Sequence, residues 1–150
     1  MIESNSFTTA AVQAAPDYLN KEGSLARTEK LVNSAADKGA DLAVFPEAFI
    51  SGYPYFIWLG APMWYHSFYK WWVKSSIEVP GPETDRLCVA ARETETFLVI
   101  GVNEIEGETI YNTQLFIDQT GELVGKRRKV MPTHVERSVW ERGMAAICLP

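Results

Sequence analysis

Glu47 is the first residue whose setting in the sequence suggests chemistry. It follows the apolar run 41–45, which is typical of a strand buried on both faces and is ended by a proline. In α/β folds, functional groups commonly lie just beyond the ends of such strands. Phe45 and Phe49 flank the glutamate, so we expect its carboxylate to be partly desolvated and suited to act as a general base. The alternative is a solvated glutamate in a turn.

Lys129 is the second candidate, and it ends a run of four consecutive cations. Side chains alternate across a strand, so Lys129 and Arg127 are expected on one face and Lys126 and Arg128 on the other. A lysine that points inward needs an anionic partner, and Glu47 is available for that role. The alternatives are a solvated basic patch and a weak phosphate site.

His134 and Glu136 form a His-x-Glu pair, which in other sequences can belong to a metal site. The second histidine, His66, is distant in the sequence and no third ligand stands nearby, so we expect no metal ion. The sequence also contains no phosphate-binding glycine loop, no Gly-x-Ser-x-Gly motif and no Cys-x-x-Cys motif. Nucleotide, serine-hydrolase and dithiol chemistry are therefore disfavoured.

The two cysteines, Cys88 and Cys148, are too few for a disulfide framework, and a reducing cytoplasm is the expected compartment. Cys88 lies among apolar residues of a predicted helix and is expected to be an inert core residue. Cys148 is a weaker candidate for a nucleophile, because a reactive cysteine needs a specific electropositive setting. Its alternative is a frayed terminal residue.

The elements that position these residues are predicted from periodicity and turn signals. The expected strands are 7–14, 41–45, 97–102, 111–117 and 123–125, the expected helices are 22–38 and 83–95, and hairpin turns are expected at 105–109 and 118–122. Segment 47–80 is aromatic and punctuated by glycine and proline, so loop and short helix are expected there. This order predicts a mixed α/β sheet with helices on one face.

Composition narrows the class of partner. The chain has 150 residues, 47% of them hydrophobic and 22% charged, which suits a packed domain or a piece of one. Its net charge of −5 argues against nucleic acid and anionic membranes as partners. No apolar run approaches the ~18 residues that span a bilayer, and no secretory signal is visible at the start.

Two segments of the sequence resemble motifs of the nitrilase superfamily. Residues 44–54, Val-Phe-Pro-Glu-Ala-Phe-Ile-Ser-Gly-Tyr-Pro, resemble its glutamate motif, and residues 126–137 resemble its lysine motif. The Pro-Thr-His-x-Glu-Arg form of the second segment is most similar to the nitrilase and cyanide-hydrolase branch. The resemblance runs from about residue 8 to residue 142.

The resemblance implies an α-β-β-α sandwich and a Cys-Glu-Lys site that converts an organic nitrile to its acid and ammonia without a cofactor or metal. Glu47 would be the general base, Lys129 would stabilise the tetrahedral intermediate, and Glu136 would help to position the substrate. We expect Tyr53, Trp58 and His134 to contact the substrate, the first two by lining an apolar pocket.

The sequence departs from the family pattern at its end. The family's cysteine stands in a Cys-Trp-Glu motif well beyond the lysine motif, whereas Cys148 follows an isoleucine but lacks the Trp-Glu. We therefore expect residues 1–150 to be a partial domain, incomplete at the C-terminus, with a divergent tail at 143–150 and without the nucleophile. The alternatives are an inactive fragment that binds a partner subunit, and a cyanide hydrolase or amidase. A partial domain leaves open edges and apolar faces, so a homo-oligomer is also expected.

Overall fold

A single five-stranded sheet organises the chain. The computed structural model describes residues 6–144, and its strands lie in the order in which they occur in the sequence. They are β1 (Thr9–Ala11), β2 (Leu42–Val44), β3 (Phe97–Glu106), β4 (Thr109–Ile117) and β5 (Leu123–Arg128). Strands β1, β2 and β3 are parallel, whereas β4 pairs antiparallel with both β3 and β5. The mixed α/β sheet expected from the sequence is thus present.

Three α-helices and two 3-10 helices complete the described residues. The α-helices are α1 (Lys21–Ala36), α2 (Pro62–Ser75) and α3 (Pro82–Glu93), and the 3-10 helices are Tyr55–Trp58 and His134–Ser138. Helix α1 begins where the Asn20 side chain accepts a hydrogen bond from the backbone of Gly23, which is ordinary N-cap chemistry. It ends before Gly39, whose φ of +76° is the left-handed conformation that glycine commonly adopts just after a helix.

The main core lies between one face of the sheet and helices α1 and α3. Alternate residues of β3, Leu98, Ile100 and Val102, are fully buried there together with Leu25 of α1 and Leu87 of α3. Because side chains alternate along a strand, the intervening residues of β3 lie on the opposite face. That second face carries the candidate site and is called the site face below.

Three expectations about the elements were wrong in detail. Strand β1 pairs over only three residues, and the hairpin between β3 and β4 is tighter than expected, since only Gly107 and Glu108 separate the strands. Segment 47–80 contains the 14-residue helix α2 rather than only short helices. A proline in its first turn and the buried residues Tyr65 and Trp72, two turns apart, explain why this aromatic stretch is helical.

The aromatic segment forms a second core and an exposed surface. Phe56, Tyr65 and Trp72 pack with Trp140 in a cluster separate from the main core. Trp64 and Trp71 of α2 are mostly exposed. Helix α2 therefore packs in this second cluster and not in the main core with α1 and α3. None of the helices within residues 6–144 combines the length and apolar character needed to cross a membrane.

Candidate active site

Three charged side chains from two distant parts of the sequence meet on the site face. The Lys129 Nζ lies 3.0 Å from Glu47 Oε1 and 2.9 Å from Glu136 Oε2. The predicted approach of Glu47 and Lys129 is thus confirmed. The neighbouring cations Lys126 and Arg128 lie on the opposite face, as strand alternation predicted.

Asn112 connects the two halves of this site. Its side-chain amide donates to Glu47 Oε1 at 2.7 Å, and its backbone carbonyl accepts from the Lys129 backbone N–H at 2.7 Å. A single residue of β4 therefore fixes the carboxylate after β2 and the lysine after β5. Sequence reasoning placed Asn112 in a strand but did not assign it this role, because which strands become neighbours is not visible in local patterns.

The expected desolvation of Glu47 was wrong for the described residues. Phe45 and Phe49 are buried in the main core, but the Glu47 side chain points to the site face and is 48% exposed. Glu47 lies beyond the end of β2 at Val44, where strand alternation no longer fixes side-chain direction, so the burial of Phe45 and Phe49 does not imply a buried carboxylate. A positive φ of 49° at the buried Ala48 turns the chain sharply just after the glutamate.

Gly101 allows β3 to pass directly beneath the Glu47 backbone. A Cβ at this position would lie 2.5 Å from the Ala48 backbone nitrogen and 2.6 Å from the Pro46 carbonyl oxygen. Real Cβ atoms do not approach backbone atoms so closely. The site thus depends on a residue without a side chain two strands away from Lys129.

Gly101→Ala is expected to destabilise the fold by about 1–3 kcal/mol, as overpacking of a tight contact does. The added methyl group meets backbone, which cannot rotate away. Urea denaturation measures the change, and Val99→Ala on the same strand face serves as a control that removes atoms instead of adding them. An unchanged stability of Gly101→Ala would show that the loop after β2 shifts freely.

Glu136 is held by three kinds of donor. It accepts from the Thr133 backbone N–H at 2.6 Å, from Lys129 Nζ and from the Tyr53 hydroxyl at 3.0 Å. Burial raises the pKa of the Glu136 carboxyl, but the hydrogen bonds that it accepts outweigh burial, and the pKa lies below its ordinary value of 4.5. Glu136 is therefore an ordered carboxylate at neutral pH.

Lys129 stays charged in this setting. Burial lowers the pKa of its ammonium group, but the hydrogen bonds to Glu136 and Glu47 reverse the effect, and the pKa is raised above 10.5. Burial and the hydrogen bond to Glu136 likewise raise the pKa of Tyr53 from 10.0 to about 12, so its hydroxyl remains a donor. The site thus presents a fixed cation between two carboxylates, an arrangement that stabilises developing negative charge and moves protons.

Tyr53→Phe is expected to raise the pKa of Glu136 towards 4.5, because the Tyr53 hydroxyl now lowers it. A carboxyl with a depressed pKa stabilises the fold above its unfolded value and loses that contribution as pH falls through the folded value. In Tyr53→Phe the stabilisation that the Glu136 carboxylate gives to the fold should therefore be lost at a higher pH. A carbon-13 NMR titration of the glutamate carboxyls measures the shift.

Tyr55→Phe is the matched control, since Tyr55 stands two residues away and is largely exposed. It should leave the Glu136 titration in place. Identical Glu136 midpoints in Tyr53→Phe and the unmodified chain would contradict the assigned hydrogen bond.

Comparison with known proteins agrees with this geometry. Residues 8–149 match the family described as carbon-nitrogen hydrolase. The chain belongs to the carbon-nitrogen hydrolase family.

An aliphatic nitrilase of Rhodococcus rhodochrous is 41% identical over 145 residues, which are 95% of this chain and 40% of the relative. A bifunctional nitrilase/nitrile hydratase of Nicotiana tabacum is 42% identical over 137 residues, 88% of this chain and 39% of the relative. The chain thus spans about 40% of the length of these curated relatives.

Solved structures of amidases share the fold of this chain. A double mutant of the amidase from Nesterenkonia sp. AN1 in complex with acrylamide matches with a TM-score of 0.69 at 20% identity, over 96% of this chain and 51% of the amidase. An amidase from Nesterenkonia sp. matches with a TM-score of 0.69 at 21% identity, over 92% and 48% of the two chains. The expected nitrilase-type α/β fold is confirmed.

Two open cavities border Glu47. One, of about 330 Å³, has a lining that includes Glu47, Asn112, Lys129 and Arg127. The other, of about 550 Å³, is more apolar, and its lining includes Tyr53. Tyr53 thus lines a cavity, which is what its predicted role in substrate binding requires.

The other expected substrate contacts lie at the edge of the site. Trp58 stacks on His134 with nearly parallel rings whose centroids are 6.0 Å apart. Both side chains are exposed, and neither lines the two cavities beside Glu47. His134 has a φ of +50°, which turns the backbone into the 3-10 helix that carries Glu136.

The cysteines do not complete the described site. Cys88 lies on α3 and packs partly buried against the main core, and burial raises the pKa of its thiol. This agrees with the core residue that the sequence predicted. Cys148 lies outside the described residues, 6–144. Within that same span no three His, Cys, Asp or Glu side chains are grouped to hold a metal ion.

A second charged cluster occupies the opposite face and was not foreseen. Glu104 is 1% exposed and accepts from Lys126 Nζ at 2.5 Å, Arg128 Nη2 at 2.6 Å and Thr113 Oγ1 at 2.6 Å. The Arg128 guanidinium also lies 3.7 Å from the centre of the Tyr111 ring. The polar pair Asn-Glu that interrupts the apolar run of β3 was the available signal, but the predicted strand stopped before it.

Proposed function

We propose that the site hydrolyses an organic nitrile to a carboxylic acid and ammonia. The observation that carries the proposal is the Lys129 ammonium group held 3.0 Å from Glu47 and 2.9 Å from Glu136 beside an open cavity. The nitrilase names of relatives about 40% identical support a nitrile as substrate. The reaction consumes one nitrile and two water molecules for each acid and ammonia.

The proposed chemistry begins with a thiolate that attacks the nitrile carbon. A carbon–sulfur bond forms, and the electron pair released from the triple bond moves to nitrogen, which takes a proton from the acid form of Glu47. Water then adds to the same carbon, ammonia leaves after protonation, and a thioester remains. A second water molecule, deprotonated by Glu47, cleaves the carbon–sulfur bond and releases the acid.

Lys129 and Glu136 have electrostatic roles in this proposal. The Lys129 ammonium stabilises the negative charge that develops at the tetrahedral stage, where a fixed donor contributes more than a mobile one. Glu136 and Tyr53 hold the lysine in place and so help to position the substrate. The apolar cavity beside Tyr53 would take the organic group.

The experiment is an assay of the purified chain with aliphatic and aromatic nitriles, cyanide and the corresponding amides. Ammonia and carboxylic acid are quantified together, so that a nitrilase, a cyanide hydrolase and an amidase give different patterns. Neither Cys88 nor Cys148 is expected to be the nucleophile, so the assay is made both on this chain and on a chain of the relatives' full length. We expect acid and ammonia from a nitrile with the longer chain, and their loss in its Glu47→Gln variant. Equal ammonia release by that variant, or none from any nitrile by the longer chain, would contradict the proposal.

The source of the thiolate is tested separately. Intact-mass spectrometry of the chain during turnover detects a thioester, and Cys88→Ala and Cys148→Ala show which cysteine carries it. Loss of the adduct only in Cys148→Ala would identify that residue and overturn the expectation that the nucleophile is missing. An adduct on Cys88 would contradict its position in the core.

We also propose that the chain self-associates and works in the cytoplasm. Trp64, Phe68 and Trp71 lie on one side of α2 and are all more than a third exposed, and such an apolar strip favours contact with another chain. Sedimentation velocity at micromolar concentration should give a mass above the 16.8 kDa of one chain. Replacing Trp64 and Trp71 with lysine should lower that mass, and a monomer before substitution would contradict self-association.

A further inference from the structure

Asn103 is a buried side chain on the site face that the proposed mechanism does not use. It lies on β3 directly opposite Asn112 and is fully buried. Its amide group donates to the carbonyl oxygens of Ile50 at 3.2 Å and Gly52 at 2.9 Å. Its carbonyl oxygen accepts from Trp140 Nε1 at 3.1 Å. Both polar atoms of this side chain therefore form hydrogen bonds with residues outside strands β3 and β4.

The partners of Asn103 belong to the two segments that carry the site. Gly52 directly precedes Tyr53, and Trp140 follows the 3-10 helix that carries Glu136. The Trp140 ring lies 5.3 Å from the Tyr53 ring and 5.7 Å from Lys129 Nζ. Asn103 thus connects the segment before Tyr53 with Trp140, and the Tyr53 and Trp140 side chains lie beside Glu136 and Lys129.

The segment that Asn103 holds cannot satisfy its own backbone. Ser51 and Gly52 have φ values of +75° and +87°, so the chain there follows neither a helix nor a strand. Buried carbonyl groups in such a segment need partners from elsewhere. An apolar side chain at position 103 would remove one hydrogen bond from each of the Ile50 and Gly52 carbonyls and would leave the Trp140 N–H unpaired. The Gly52 carbonyl would keep only the longer bond from Trp72 Nε1, at 3.3 Å.

We propose that Asn103 is a positioning residue, which fixes Tyr53 and Trp140 in the places from which they hold Glu136 and Lys129. It touches no reacting atom in the proposed mechanism, so it acts only through these two aromatic side chains. The kinetic consequence of this role rests on the proposed function, whereas the structural consequence does not.

The test is the reactivity of the Lys129 amine in the full chain. An amine-modifying reagent at pH 9 labels only neutral amines, and peptide mass spectrometry compares Lys129 with the exposed Lys30 as internal reference. In Asn103→Leu the hydrogen bonds that keep Lys129 charged should loosen. We expect its relative labelling rate to rise about tenfold, the change that one unit of pKa gives.

Val102→Ala is the matched control, because Val102 is the neighbouring residue, is also fully buried and faces the main core. It should destabilise the fold without changing the relative labelling of Lys129. An equal rise in Val102→Ala would reduce Asn103 to a general structural residue and overturn the proposal, as would an unchanged rate in folded Asn103→Leu.

Trp140→Phe keeps the test decisive if Asn103→Leu does not fold. This variant retains an aromatic ring but removes the indole N–H from which the Asn103 side chain accepts a hydrogen bond. The labelling rate of Lys129 should therefore rise, as in Asn103→Leu. An unchanged rate would overturn the proposal. None of these readouts needs turnover, so a failed nitrile assay would contradict the proposed function and leave the positioning role to be judged by labelling alone.

Discussion

Lys129→Met is expected to lower the rate of nitrile hydrolysis by about 10²–10³-fold, the cost of removing one fixed donor from an oxyanion site. Methionine has a similar length but no charge, so the cavity keeps its shape while the ammonium group is lost. Glu47 and Glu136 then face each other without the cation that lies within 3.0 Å of both. Ammonia release under saturating nitrile measures the change.

A second readout of Lys129→Met does not depend on turnover. The Lys129 hydrogen bond and charge now lower the pKa of Glu136, so the variant should titrate Glu136 at higher pH. Lys38→Met, an exposed lysine just after α1, is the control for loss of one positive charge. Turnover retained by Lys129→Met would refute its electrostatic role, and an unchanged Glu136 titration would refute the ion pair itself.

Glu104→Leu is expected to destabilise the fold by about 3–5 kcal/mol, which is the usual consequence of removing one partner of a buried ion pair. Lys126 and Arg128 would be left partly buried without their shared carboxylate, and the Thr113 hydroxyl would lose its acceptor. Urea denaturation at pH 7 gives the change in free energy of unfolding.

The acid side of the stability profile gives an independent check on Glu104. Burial raises the pKa of its carboxyl, but the hydrogen bonds from Arg128, Lys126 and Thr113 prevail and lower it below 4.5. The Glu104 contribution is therefore present above pH 4.5 and is lost as pH falls through the folded pKa. Glu106→Gln, at a largely exposed partner of Arg128, should change stability little. Equal losses in the two variants would contradict a special role for the buried cluster.

Two simple rules suggested the pairing of Glu47 with Lys129, and the resemblance to the glutamate and lysine motifs of the nitrilase superfamily supported it. Strand alternation separates Lys129 from its cationic neighbours, and an inward lysine needs a carboxylate. The contribution of Asn112 was not accessible in the same way. It depends on β4 lying between β3 and β5 and on a register that only the assembled sheet defines.

The elements were predicted best where periodicity was strong. Helices α1 and α3 lie close to their expected bounds, because their apolar residues recur with a clear period. Strands β3 and β5 extend beyond their expected ends at 102 and 125, because polar residues continue them. Helix α2 was underestimated, since tryptophan, tyrosine and phenylalanine have only moderate helix propensity and glycines and prolines surround the segment. The exposure of Glu47 was misjudged because neighbours in sequence were read as neighbours in space.

The division of the cations at 126–129 between two faces limits which changes in length β5 tolerates. Each residue of a strand reverses the side on which the next one projects, so deleting a single residue within β5 would exchange the faces of the cations beyond it. Lys129 would then turn towards Glu104, and Arg128 would face Glu47. Paired deletions preserve the parity of the strand, and single ones do not. We therefore expect evolution in this stretch to proceed by substitution, with changes of length confined to the turn at 118–122.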